Sequence, residues 1–115
     1  MKYLKTYENF DFELAVGDYV LVNYDEDDME QELKDYLKNN IAQVRYGNNL
    51  DDEWITVNYK DTPSDYLIKH YFTNRDNYEI KYNLYPRVIN QYYIVAASKD
   101  KENLKQIVLN RKYNL

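Results

Sequence analysis

The sequence predicts a small, mainly β domain of the α+β class, a barrel of short strands with one short helix inserted early and a second helix at the C-terminal end. Three observations carry this. Several segments alternate apolar and polar residues with β-branched side chains, the pattern of half-buried strands. Only two stretches, at about 28–38 and 99–112, space their apolar residues as a helix does. And 115 residues suffice for one core but not two, so residues 14–115 read as a single domain preceded by a segment, 1–13, of different character.

Val16-Gly17-Asp18 is a turn signal, and Tyr19-Val20-Leu21-Val22-Asn23-Tyr24 after it alternates as a strand. In the next stretch Met29, Leu33, Tyr36 and Leu37 share one helical face. Acids Asp25 to Asp28 stand in its first turns and Lys34 and Lys38 near its end, an order that suits the helix dipole. Ile41 to Tyr46 and Glu53 to Tyr59 alternate again, separated by the turn Gly47-Asn48-Asn49, so the first three strands form a meander. Ser64 to Tyr71 offers a short helical turn inside a connection running from Pro63 to Asn77. Asn77 to Leu84 alternates through Tyr78, Ile80 and Tyr82 and predicts a strand. Val88 to Ala97 predicts another β run, with Pro86 forbidding one unbroken central strand. Ser98 then caps a helix whose apolar face is Leu104, Ile107 and Val108.

Composition narrows function mostly by exclusion. The chain has 15 Tyr and 3 Phe, so its core must use rings whose hydroxyls need partners. It has no Cys, which removes disulfides, thiolate nucleophiles and thiolate metal sites. No apolar run reaches the roughly 18 residues that span a bilayer, so no membrane association is expected. The formal net charge of -5 is uneven: residues 1–53 sum to -9 and residues 54–115 to +4. Either the halves neutralise each other across one domain, or a basic face is left for an acidic partner.

Catalytic sets are sparse. Ser64, Asp65 and His70 are the only local grouping with the residue types of a nucleophile, an acid and a base. Their spacing fits no motif, and Ser64 after Pro63 is explained as a cap. Gly17 and Gly47 stand alone, so no phosphate-cradling loop is expected. Asp25-Glu26-Asp27-Asp28 lacks the spacing of a calcium loop and reads as a solvated helix start. No enzyme activity, cofactor or metal is therefore expected.

Two candidate binding surfaces remain. Tyr66, His70, Tyr71, Phe72 and Arg75 concentrate on one connection the residue types that anchor protein interfaces. Arg75, Tyr78, Lys81, Tyr82 and Arg87 interleave cations with rings, the pattern that holds single-stranded nucleic acid, against an acidic pI of about 4.8. An aromatic cage for a methylated amine, with rings from Trp54, Tyr59 and several other tyrosines, is a third arrangement, with a core Trp54 as the plainer reading.

The segments GDYVLVNYD, IAQVRYGN and EWITVNYKD together resemble the opening strands of an SH3-like barrel of the KOW or Tudor sort. The resemblance rests on Gly17, Asp18, Val20, Val22, Ala42, Val44, Ile55 and Val57 and covers about half the chain. It departs at Ala42, where such sequences carry Gly, and in the inserted helix. KOW-type barrels contact RNA, so the resemblance implies a nucleic-acid-binding module as an alternative to a protein-binding one.

Lys5-Thr6-Tyr7-Glu8-Asn9-Phe10, followed by Asp11-Phe12-Glu13, resembles the capsid-targeting leader of internal head proteins in T-even-type bacteriophages. The KYLKTYENF opening is also similar to short bacteriophage proteins of AT-rich genomes. The alternative is structural: Tyr3, Leu4, Tyr7 and Phe10 at helical spacing would dock on the domain. The phage resemblance implies a module acting in the host cytoplasm, binding and blocking a host or defence protein, or else a virion structural or assembly protein packaged in the particle.

Overall fold

The computed structural model describes residues 14–25, 27–46 and 53–113. The leader at 1–13 and the turn at Gly47-Asn48-Asn49 lie outside the described residues. The elements follow as β1 (Tyr19–Val22), α1 (Gln31–Asn39), β2 (Ala42–Tyr46), β3 (Trp54–Tyr59), α2 (Asp65–Tyr71), α3 (Asn77–Lys81), β4 (Tyr85–Asn90), a 3-10 turn (Gln91–Tyr93), β5 (Ile94–Ser98) and α4 (Lys101–Tyr113).

The fold is α+β: the described residues form one antiparallel sheet of five strands in the order β4-β3-β2-β1-β5, with four helices. The expected meander is present, with Val20 opposite Ala42 and Val44 opposite Val57. β4 and β5 occupy opposite edges yet are consecutive in the chain, joined by only Gln91–Tyr93. In a flat sheet those edges would lie about 19 Å apart, beyond the roughly 14 Å that such a link can reach. The sheet therefore curls until its edges approach at one corner. There Asn23 N–H donates to Tyr93 O at 2.9 Å and Gln91 N–H to Glu53 O at 2.6 Å. Among the described residues no ladder joins β4 to β5, so the expected closed barrel is instead an open, curled sheet.

Alternation assigns the two faces. Val20, Val22, Val44, Ile55, Val57, Tyr59, Ile89 and Ile94 point inward and pack beneath Leu33, Tyr36 and Leu37 of α1, with Leu67 of α2 and Phe72 just after it. Outward-pointing Leu21 and Ala96 pack with Ile41 and with Leu104 of α4, flanked by Ile107 and Val108 as the sequence predicts. Each buried aliphatic side chain contributes about 1.5–3 kcal/mol. Tyrosine enters this core because its hydroxyl finds a partner: Tyr59 donates to Leu37 O at 3.3 Å, and Tyr36 to Asp61 O at 2.5 Å.

Four local expectations need correction. α1 begins at Gln31, not at 28, and the acidic run precedes it; Asp25 instead reaches Lys38 near the helix end at 2.8 Å. The short helical turn expected at Ser64 to Tyr71, by contrast, is present as α2, capped by Ser64, whose Oγ accepts from Leu67 N–H. Residues 77–84 are not a strand: Asp76 and Glu79 form a reciprocal capping box that starts α3. Asp100, not Ser98, holds the second amide of α4, while Ser98 accepts from Asp100 N–H and Asn103 Nδ2. The β run at 88–97 is divided by the 3-10 turn, whose Tyr92 N–H is taken by Asn90 Oδ1. Pro86 lies in β4, an edge strand, where a missing donor is tolerated.

Candidate functional site

The residues expected to anchor a protein partner are largely engaged in building the fold. Phe72 is only 3% exposed and lies edge-on to Tyr36 and Tyr85, each ring 5.9 Å away, so it is a core residue. Tyr66 and Tyr71 both donate to Glu30 Oε1, at 2.7 and 2.9 Å, fastening α2 to the chain leading into α1. The carboxylate accepting these protons pushes the Tyr66 phenol up to about 12 and raises that of Tyr71. His70 is exposed, its ring 4.3 Å from that of Tyr66. Arg75 lies 4.4 Å over Tyr85 and donates to Leu84 O.

The interleaved basic and aromatic set divides at the edge strand. Arg87 sits opposite Val57, on the inward side, with its guanidinium 5.7 Å from the Tyr71 ring. Tyr78 and Tyr82 lie instead beside outward residues Gln43, Arg45 and Asn58, and Lys81 is 5.4 Å from the Tyr82 ring. Five cation and ring positions that are close in sequence therefore do not make one continuous face.

The structure exposes a surface that the sequence reading missed. Trp54 and Val88 point to the outward side of β3 and β4, and are 57% and 58% exposed. Trp54 is opposite Asn90, and Val88 is opposite Thr56, one outward position further along. Among the described residues α4 packs over β1 and β5, away from this stretch, and the start of α3 borders it at Asp76 and Glu79. Tyr92, the most exposed large ring among the described residues, follows at the corner. Next to them is a notch of about 330 Å³ whose lining includes Thr56, Val88 and Arg87 together with Asp76 and Glu79. The available signal was alternation itself: positions outward from a buried strand should be polar, and Trp54 and Val88 are not. The same alternation separates the two rings of the aromatic-cage arrangement, because Tyr59 is fully buried on the opposite face.

The arrangement can offer apolar and aromatic contact, mixed charge, and the backbone of an edge strand that pairs only with β3 among the described residues. Ser64 Oγ is engaged with Glu32 Oε2 at 2.5 Å and with the Leu67 amide, while His70 lies against Tyr66, so the three residues Ser64, Asp65 and His70 are not assembled as a relay. Among the described residues no group of three or more His, Asp or Glu is placed to hold a metal ion. No helix among them is long and apolar enough to cross a membrane. Comparison with protein-family models, curated proteins and solved structures finds no match.

Proposed function

We propose that this chain is a non-catalytic binding module that takes a protein partner on the outward face and edge of β3 and β4. The observation that carries the reading is the exposed pair Trp54 and Val88, neighbours on the outward face of β3 and β4. Trp and Tyr are among the residue types that dominate protein interfaces, and Trp54 and the neighbouring Tyr92 supply one of each. The adjoining notch mixes acids with bases, which suits a protein surface better than a polyanion.

The finer architecture belongs to the same proposal: an opened variant of an SH3-like barrel, supported by the meander and by the short link between the two edge strands. So does the origin, a bacteriophage protein acting in the host cytoplasm to occupy a host or defence factor, with a packaged virion component as the other role. Capture of partners by the tagged chain from a bacterial lysate, with and without nuclease, tests the module. A stoichiometric protein that survives nuclease supports it, and recovery of nucleic acid alone removes it.

A further inference from the structure

A second concavity lies on the outward side of the sheet. It has a volume of about 470 Å³, within the 300–1,000 Å³ typical of small-ligand sites. Its lining includes Asn58 of β3 with Lys60 just beyond it, and Tyr78 of α3 with Tyr82 just beyond it.

Asn58 is unusual for an outward position. It is only 8% exposed, and its Oδ1 is buried without a hydrogen-bond partner. Buried side-chain acceptors are rarely left so, because water has been removed and nothing replaces it. Asn58 is among the residues lining the groove, and its terminal amide torsion is soft, so reorientation of the amide is what presents this acceptor to a donor bound there. Tyr78 and Tyr82 stand with ring centroids 4.8 Å apart at 52°, both well exposed. Such rings hold a planar group by stacking.

The charge of the groove is set by which cations are already matched. Arg45 is paired with Glu79 and Asp76. Lys60 is in no ion pair among the described residues, and Lys81 rests on the Tyr82 ring. Lys60, which lines the groove, and Lys81, beside the Tyr82 ring that does, are thus available to an anion. The acids Asp25, Asp27, Asp28, Glu30 and Glu32 lie elsewhere, at the start of α1 on the inward side.

We infer that this groove binds a nucleoside phosphate. The base stacks on Tyr78 and Tyr82 and donates an N–H to Asn58, and the phosphate lies against Lys60 and Lys81. The unit is either a free nucleotide or one residue of a single strand. This inference uses residues distinct from Trp54, Val88 and Tyr92, and stands or falls separately from the protein-binding reading.

The test is a titration of the full chain with 5′-AMP, with 5′-UMP and with a fluorescein-labelled oligothymidylate, each repeated at rising salt. Saturable binding that weakens with salt supports the site. Binding of the mononucleotides assigns the free ligand, and binding of the oligonucleotide alone assigns the strand. Tyr82→Ala weakens the bound form about tenfold or more, and Lys60→Glu, at an exposed position that leaves the fold intact, weakens it too. Trp54→Ala binds as the parent does. Absence of binding to all three probes overturns the inference, as does binding that Tyr82→Ala and Lys60→Glu leave unchanged.

Discussion

Arg45 of β2 is ion-paired with Glu79 of α3, 34 residues later in the chain, and this contact ties a five-residue helix to the sheet. Glu79 is 4% exposed and also caps the helix, its other oxygen accepting from Asp76 N–H at 2.7 Å. Removing it takes away the closer of the two carboxylates paired with a largely buried guanidinium and opens the cap at the same time. Glu79→Ala should therefore lower stability by about 2–4 kcal/mol, measured by urea unfolding. A loss under about 0.5 kcal/mol, the range of ordinary surface changes, would show that α3 is not held this way.

The same two residues explain where sequence reading stopped. Asn77 to Leu84 alternates convincingly, but Tyr78, Ile80 and Tyr82 are all exposed, whereas Glu79 between them is buried. The pattern was real and its burial was inverted. Asp76 and Glu79, spaced as a capping box, were the legible signal that outweighed it. β1, β2 and β3 were legible because each sets one row of apolar residues against a common core. The opening of the sheet was not, since closure depends on whether β4 and β5 pair, a contact that no local pattern encodes. The exposed site was hidden for a related reason. A tryptophan in a strand reads as core until its face is known, and Trp54 points away from it.

Gly17 adopts φ +96° in the turn before β1, while a Cβ built there meets nothing within 4 Å. The cost of a side chain is thus conformational and not steric. Gly17→Ala should destabilise the protein by about 1–2 kcal/mol, and Gly17→Asn by less, because Asn tolerates positive φ better. Equal melting temperatures for parent and Gly17→Ala would contradict this.

Asp18 closes the same turn. Its Oδ2 accepts from Ala15 N–H and from Lys99 Nζ, both at 2.8 Å, tying the start of β1 to the end of β5. Asp18→Asn removes the charge but keeps an acceptor, whereas Asp18→Ala removes both. The expected order of stability is parent, Asp18→Asn, Asp18→Ala, with the last about 1–3 kcal/mol below the parent. Chemical denaturation of the three chains checks it.

Tyrosine ionisation should limit the alkaline range. Burial raises the phenols of Tyr24, Tyr36 and Tyr59, and the Glu30 carboxylate raises those of Tyr66 and Tyr71 above the ordinary 10.0. A phenol raised in the folded state keeps its proton where the unfolded chain has lost it. The stabilisation is complete below pH 10.0 and disappears as pH climbs through the folded values, about 12 for Tyr66. Urea midpoints should hold below pH 10.0 and fall above it. Glu30→Gln, titrated by tyrosinate absorbance, should bring the Tyr66 transition back toward 10.0. Acid acts on the opposite sign: the Lys38 hydrogen bond lowers Asp25 below 3.8, so its contribution is present above that pH and is lost as pH falls through the lowered value.

The claim that Trp54 and Val88 form the protein-binding surface is tested most directly by capturing partners from a nuclease-treated bacterial lysate with the parent and with a Trp54→Ser, Val88→Lys double variant. Both positions are exposed, so the variant should unfold within about 0.5 kcal/mol of the parent. The account predicts a stoichiometric protein retained by the parent and lost from the equally folded variant. The same protein retained equally by both, or none retained by the parent, would contradict it.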